Sequence, residues 1–353
     1  MTESSEHNEL IELTEKFFKA EISDDYLRER LENPVSSDPG LWIKLLELGF
    51  YEYFGEVKRE DQSLSLLGKI ARECGRVPIP ESLVEGLFTG PVLFSLLSSK
   101  EVESIEKFLG KEKVEAVLSG TNSISFLPPL SSSNLSIKKG KAAGDLTGVI
   151  NRADTVGCFA VVGETLYLID TEKAKDVSPE RNALDRLLPR SVLQLKNAPT
   201  LTLEVSADEV LAVKRLVLAS ELLGMANACI DLTVEYVSDR KQFGVSIGCF
   251  QAVKHPLADK YLQARELEAL LRFFGGMLDR GDPQYKALSL VTLSAALSRV
   301  PSIIEKCIQL HGGIGFTWEY VLHLYLRRAK SYEALFRLSA EDNTQICTLS
   351  AAL

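Results

Sequence analysis

Most of the short signatures that assign a protein quickly are missing from this 353-residue chain. No G-x-G-x-x-G follows a strand-like run and no G-x-x-x-x-G-K-[ST] occurs, so neither a Rossmann site nor a P-loop is supported. The six cysteines (Cys74, Cys158, Cys229, Cys249, Cys307 and Cys347) form no C-x-x-C pair, and only four histidines are present, widely spaced. No zinc or other metal site is expected from that pattern, and free, mostly buried thiols in a reducing cytosol are the economical reading. Clustered Lys/Arg is also missing, and the formal charge is −9. Nucleic acid is therefore not an expected partner, because phosphate binding needs a basic face. The acidic N-terminus, Met1 to Glu9, carries no apolar h-region, so no secretory signal is expected. No uninterrupted apolar run reaches bilayer-spanning length; the best candidate, Leu216 to Ile230, is broken by Ser220, Glu221 and Asn227. A soluble, cytoplasmic chain with no membrane partner is the expectation.

What is present divides into three stretches. A hydrophobic share of 45% with 25% charged residues is ordinary for a globular protein, and the length exceeds what one core fills. Residues 1–109 read as all-helical. Leu10-Ile11-Leu13, Leu41-Trp42-Ile43-Leu45-Leu46-Leu48 and Leu64-Leu66-Leu67-Ile70 repeat apolar positions near a 3.6 period, with a proline turn at Arg76 to Pro80. Residues 110–205 read as a β domain of short strands punctuated by glycine. Val114 to Leu118, Ala160 to Val162, Thr165 to Ile169 and Thr200 to Val205 are the expected strands, at barrel-like spacing. Residues 206–353 read as helical again: a long first helix with Asp208 as its N-cap, then three more joined by short loops. That is the pattern of an up-down four-helix bundle. The fold class is α+β.

Two stretches of the last region carry more chemistry than a connection requires. Asp239 to His255 reads D-R-K-Q-F-G-V-S-I-G-C-F-Q-A-V-K-H. Cations at a helix C-terminus complement its dipole, but that does not account for two Phe, two Gly and two Gln in the same loop. A loop that holds a large anionic, partly aromatic ligand accounts for them. The second stretch is Gln309 to Glu319, Q-L-H-G-G-I-G-F-T-W-E. A C-cap glycine explains one of its three glycines; a Gly-Gly pair also lets backbone approach a ligand where any Cβ would collide.

With both stretches at this separation, the chain resembles the acyl-CoA dehydrogenase family. In architecture the resemblance covers the whole chain: an N-terminal helical domain, a middle β-barrel-like domain and a C-terminal four-helix bundle. In motifs it is strong from about Leu216 to Lys330. The resemblance implies FAD bound without a Rossmann domain, at a boundary between subunits. Arg240, Gln242 and Phe243 then hold the pyrophosphate and adenosine of a neighbouring subunit's cofactor, with Gln309, Leu310, Gly312 and Gly313 flanking the same half. Phe250 and Gln251 are further candidates, and His255 and His311 are structural. A guanidinium suits that role because it meets phosphate oxygens bidentately with charge-assisted bonds. The implied reaction removes two hydrogens from an acyl-CoA thioester: a carboxylate base takes the Cα proton and Cβ delivers hydride to the flavin. An electron-transfer flavoprotein is the implied acceptor.

The sequence departs from the family at the base. One position where the family carries its Glu falls on Phe336, within Arg327 to Arg337, and the Gly-Thr that follows it in the family is missing. The other falls on Lys214, ahead of Arg215-Leu-Val-Leu-Ala219. Lysine has an ordinary pKa of about 10.4, so serving as a base near pH 7 requires roughly 4 kcal/mol of burial or repulsion; phenylalanine cannot serve. Glu221, two turns beyond Lys214, and Glu333 are the remaining carboxylates, each with a bundle salt bridge as its alternative role. The family's Thr-Glu-Pro loop has its nearest counterpart in Ser125 to Asn134, which lacks the Thr-Glu. The catalytic residue is therefore unassigned. The leading expectation is a homo- or hetero-oligomer in which this chain supports the FAD of a homologous catalytic subunit in lipid β-oxidation. A self-sufficient dehydrogenase using Glu221 or Glu333, and a non-enzymatic scaffold derived from the family, are the alternatives.

Overall fold

The computed structural model describes residues 5–33, 38–56, 63–128, 135–150, 152–178, 183–317 and 320–350. The N-terminal helices are α1 (Ser5–Glu21), α2 (Asp24–Glu32), α3 (Pro39–Leu46), α4 (Phe50–Glu56) and α5 (Leu64–Gly75). Helix α6 (Leu83–Leu87) runs through a π-turn (Phe88–Val92) into α7 (Leu93–Ser95), followed by α8 (Ser99–Leu109) and α9 (Lys111–Leu118). The strands are β1 (Ser123–Phe126), β2 (Ser136–Lys138), β3 (Lys141–Val149), β4 (Thr155–Val162), β5 (Thr165–Asp170), β6 (Lys175–Asp176) and β7 (Ser191–Leu203). Then come α10 (Ala207–Asp239), a hairpin of β8 (Lys241–Gln242) and β9 (Val245–Ser246), α11 (Gln251–Asp279), α12 (Tyr285–His311), α13 (Leu322–Leu335) and α14 (Ala340–Ser350). Two compact units result, one of Met1–Tyr26, Leu64–Ile79 and Arg215–Leu353, the other of Leu27–Ser63 and Pro80–Lys214.

The helical unit is built on long helices that turn apolar stripes inward. Leu222, Leu223, Leu267, Phe274, Val300, Ile304 and Leu322 are all buried there. Helices α5 and α10 cross with backbones in contact: a Cβ on Gly75 would collide with the Glu221 carbonyl, and one on Gly224 with the Arg72 carbonyl. Only glycine permits that approach. Arg72 Nη1 donates to Glu268 Oε1 at 2.9 Å, tying α5 to α11, and Asp279 accepts the Leu64 N–H at 2.6 Å. Ala207–Asp239 and Tyr285–Phe316 are each long and apolar enough to cross a bilayer, although neither contains an uninterrupted run. Of their most apolar windows, 78% and 56% are buried inside the chain, as core helices of a bundle require.

Helix α10 starts where the sequence suggests but is capped differently. Ser206 is the N-cap: its hydroxyl accepts the Glu209 N–H at 3.4 Å and its carbonyl accepts the Val210 N–H at 3.1 Å. Asp208 lies inside the first turn, where a carboxylate complements the dipole.

In the other unit the strand path is β1-β4-β5-β7-β3-β2, with β6 on β7. The β1–β4 pair is parallel and the other pairs are antiparallel. Strand β7 belongs to both halves of this sheet. Its Thr200–Leu203 end pairs with β5, and the rest pairs with β3. The register against β3 shifts between Ala142 and Gly144, opposite Asn197, whose φ of 57° is the left-handed conformation that Asn tolerates. Leu127, Leu146, Val149, Cys158, Ile169 and Leu193 make the core between the strands. Val114 to Leu118, expected as a strand, is the end of α9 instead. Val114 and Val117 are its buried positions, three apart, and five residues of V-E-A-V-L satisfy a helical period as readily as a strand's. Of the Ser125–Asn134 loop, residues 129–134 lie outside the described residues; Ser125 is in β1, and its hydroxyl donates to the Ile150 carbonyl.

Candidate functional site

At the C-terminal end of α10 the chain turns through the β8–β9 hairpin, closed by the Ile247 N–H on the Arg240 carbonyl at 2.8 Å. The Ser246 hydroxyl fastens it to the Val237 carbonyl at 2.7 Å. Both turn residues have positive φ, 52° at Phe243 and 82° at Gly244, the conformation of a two-residue hairpin loop that normally selects Asn-Gly. A phenylalanine there is strained, and its ring is 94% exposed. The ring's packing partner is Phe250, edge-on at 6.3 Å, itself exposed at the position that caps α11. Arg240, Lys241, Gln242, Gln251 and His255 are likewise exposed.

The second stretch sits at the end of α12. Gly312 terminates the helix with φ 66°, and Gly312–Phe316 forms a 3-10 turn. The three glycines differ in kind. Gly312 is required by its φ, and Gly315 by crowding, since a Cβ there would lie 2.6 Å from the Ile308 carbonyl oxygen. A Cβ at Gly313 would meet no atom of the described residues within 4 Å. Gln309, Gly312, Gly313 and Phe316 are exposed, Leu310 is half-buried and His311 is buried. Trp318 and Glu319 lie outside the described residues. Tyr236, one turn before Arg240, connects the two stretches: its ring stacks on His311 at 4.4 Å and its hydroxyl donates to the His311 carbonyl at 3.3 Å. Nothing in the sequence marks Tyr236 apart from other stripe residues of α10. All nine residues expected to hold cofactor thus lie on the hairpin, the start of α11 or the end of α12.

The two base positions are filled and engaged. In the β-containing unit, Lys214 is 3% exposed, with its Nζ 3.4 Å from Glu85 Oε1 and 5.1 and 5.6 Å from the Phe88 and Phe126 ring centres. The other Glu85 oxygen is 3.6 Å from Arg190 Nη2, and Arg190 Nη1 donates to the Gly148 carbonyl at 3.0 Å. Burial, and after it the Glu85 carboxylate, push the neighbouring Cys158 thiol up. In the helical unit, Phe336 is buried, edge-on to Tyr332 at 5.6 Å. The Tyr332 hydroxyl lies 3.1 Å from both oxygens of Glu221, which is buried too. Glu333 pairs with Lys330 at 3.1 Å, and Lys330 also reaches Glu305 at 3.1 Å. The Glu333 bond, opposed by desolvation and helped by Glu305, holds the Lys330 ammonium above its ordinary value. Glu333 lines a cleft of about 600 Å³ with Ser294, Ser298, Lys330 and Arg337. Glu85 and Arg190 were not foreseen; a lone carboxylate inside the apolar run Leu83-Val-Glu-Gly-Leu-Phe88 is the signal that marks Glu85.

Residues 205–336 match the family described as acyl-CoA dehydrogenase, C-terminal domain. The chain is 31% identical over 353 residues to acyl-CoA dehydrogenase IpdE2 of Mycolicibacterium smegmatis, covering 96% of this chain and 99% of that one. Among solved structures, the Tcur3481-Tcur3483 steroid ACAD G363A variant superposes with a TM-score of 0.80 at 21% identity, over 98% of each chain. The ChsE4-ChsE5 complex from Mycobacterium tuberculosis gives 0.79 at 18%, over 100% of this chain and 99% of that one. The FAD complex of PigA gives 0.79 at 15%, over 100% and 99%. These likenesses show a common fold from end to end. Together with the full-length relative, they establish that the chain belongs to the acyl-CoA dehydrogenase family, oxidoreductases acting on CH–CH bonds.

Proposed function

We propose that this chain is the FAD-supporting subunit of a heteromeric, cytoplasmic acyl-CoA dehydrogenase, in which a homologous chain supplies the base. The observation that carries this reading is the state of the two base positions. Lys214 is a buried ammonium held by Glu85, and Phe336 is a buried ring on Tyr332. Neither side chain takes a proton from a substrate Cα. The hairpin end, by contrast, fits a dinucleotide. Arg240 is exposed, Phe243 is a strained ring turned to solvent, and Gly313 leaves backbone open to close approach.

In that assembly Arg240 would hold the pyrophosphate, since a guanidinium bonds phosphate oxygens in a fixed fork. Gln242 and Phe243 would take the adenosine, with Phe250 and Gln251 behind them, and Gln309, Leu310, Gly312 and Gly313 would line the same half. Bound FAD supplies the hydride acceptor for the acyl-CoA substrate, and an electron-transfer flavoprotein is the expected next acceptor. The ChsE4-ChsE5 neighbour, a complex of two differently named chains, supports the heteromeric form.

Substituting Arg240→Ala in the assembly tests the reading. Loss of one charge-assisted anchor, about 1.5–3 kcal/mol, is expected to lower FAD affinity roughly 10- to 100-fold, measured as flavin released on dilution. Unchanged FAD occupancy would sink the cofactor role. The chain purified alone, with stoichiometric FAD that acyl-CoA reduces, would sink the non-catalytic one.

A further inference from the structure

Tyr236 is bonded at both ends. Its carbonyl accepts the Arg240 N–H at 2.9 Å, at the root of the hairpin. Its hydroxyl donates to the His311 carbonyl at 3.3 Å, the last carbonyl of α12 before the glycine turn. Stacking reinforces the second bond: the His311 ring lies 4.4 Å from Tyr236 with planes 20° apart, and Tyr320 closes against it at 4.7 Å. Tyr320 also meets Tyr236 edge-on at 6.1 Å. The glycine turn folds around the same ring, since a Cβ on Gly315 would lie 3.0 Å from the His311 Cβ.

The imidazole is held in one protonation state by its surroundings. Nδ1 lies 2.8 Å from the Cys307 carbonyl, an acceptor, so Nδ1 carries the hydrogen. Nε2 is buried and, among the described residues, has no hydrogen-bond partner. A second proton would put an N–H and a charge into aromatic packing that offers no acceptor among the described residues, the costly case for a buried polar group. Among the described residues, the titratable groups facing the ring are Tyr236 from α10, Cys307 from α12 and Tyr320 ahead of α13. Glu235 and Asp24 act on Tyr320, one shell further out.

We propose that His311 is a positioning residue: as a neutral ring it locks the Gly312–Phe316 turn to the end of α10, setting that turn's register against the Arg240–Phe250 hairpin, and a proton on Nε2 releases the lock. The proposal rests on the cofactor reading only for what the two segments hold. Burial lowers the His311 pKa, with the Cys307 bond opposing. The locked form therefore binds fewer protons than a released histidine, whose ordinary pKa is about 6.5. Coupling is complete above that pH. It weakens as pH falls, by up to about tenfold per pH unit, until the depressed pKa of the locked form is passed.

Amide hydrogen exchange on the full chain, corrected for intrinsic rates, tests this. Protection of residues 240–250 and 311–317 is expected to fall together, up to about tenfold per pH unit below about pH 6.5. His311→Phe keeps a stacking ring without a titrating nitrogen and is expected to remove the pH step. Tyr236→Phe, the milder change, keeps the stack and loses the hydroxyl; it is expected to uncouple the two segments at pH 7.5. A pH step that survives in His311→Phe, or segments that respond independently in the unsubstituted chain, overturns the proposal. FAD retention by the assembly, followed over the same pH range, is expected to track the exchange curve. A chain that shows the exchange step and binds no flavin overturns the cofactor reading and leaves the positioning role supported.

Discussion

Phe243 and Lys214 are both costly placements, in opposite senses. Phe243 is a large apolar ring, 94% exposed on a left-handed turn; Lys214 is an ammonium, 3% exposed beside two other rings. Among the described residues the first gains the edge contact of Phe250 for its strain, and on the proposed reading the rest of its compensation is the bound cofactor. The second is compensated inside: Glu85 sits against it, shared with Arg190. The difference separates residues kept for an external ligand or partner from residues kept for the chain's own fold. On the proposed reading the hairpin residues fall in the first class and Lys214 in the second.

The contrast is broken most forcefully at Glu85. Removing one member of a buried ion pair leaves charge without its counterpart and costs about 3–5 kcal/mol. Glu85→Ala is therefore expected to lower the unfolding free energy by that amount in denaturant melts, with Glu85→Gln somewhat milder. A change below about 1 kcal/mol would mean that the cluster is not structural, and would reopen Lys214 as part of a working site. The same logic runs inside the glycine turn. Gly315→Ala forces a methyl against the Ile308 carbonyl and is expected to cost about 1–3 kcal/mol, as overpacking does. Gly313→Ala meets nothing among the described residues and is expected to leave stability unchanged or raised by less than about 1 kcal/mol, while weakening FAD retention. Equal destabilisation by both would show that the turn is glycine-rich for folding alone.

The parts of this division that were legible in the sequence are those written in local pattern. Arg240 to Gly244 and Gly312-Gly313 stand on the loop and helix end that periodicity predicts, because chain-terminating residues and exposed functional residues are local features. Strands β4, β5 and β7 were legible for the same reason: Val162 pairs with Thr165 across the Gly163 turn, where φ is 62°; β1, β2, β3 and β6 carry no comparable alternation and were not expected. Val114 to Leu118 was not, because two buried valines three residues apart fit either period. The pairings that decide what the base positions do were out of reach. Glu85 and Lys214 are separated by the whole β region, and Tyr332 meets Glu221 from a different helix. Sequence put Lys214 and Phe336 at the positions where the family carries its base; only packing showed that both are built into the interior.

Phe243 offers the sharpest test, because the two classes predict opposite signs at one residue. Asn is the residue that a left-handed hairpin position favours, and it keeps the turn while removing the exposed ring. If Phe243 serves an external ligand, Phe243→Asn relieves backbone strain and is expected to stabilise the isolated chain by about 1 kcal/mol. The same change is expected to weaken FAD retention in the assembly, because the stacking surface is gone. If instead the Phe243–Phe250 contact holds the hairpin, its loss costs about 0.5–1.5 kcal/mol, and cofactor affinity changes only through that loss. Denaturant melts of the isolated chain and flavin release from the assembly, measured on one variant, separate the two. A stability gain paired with a cofactor loss is the signature of a residue whose partner lies beyond its own chain.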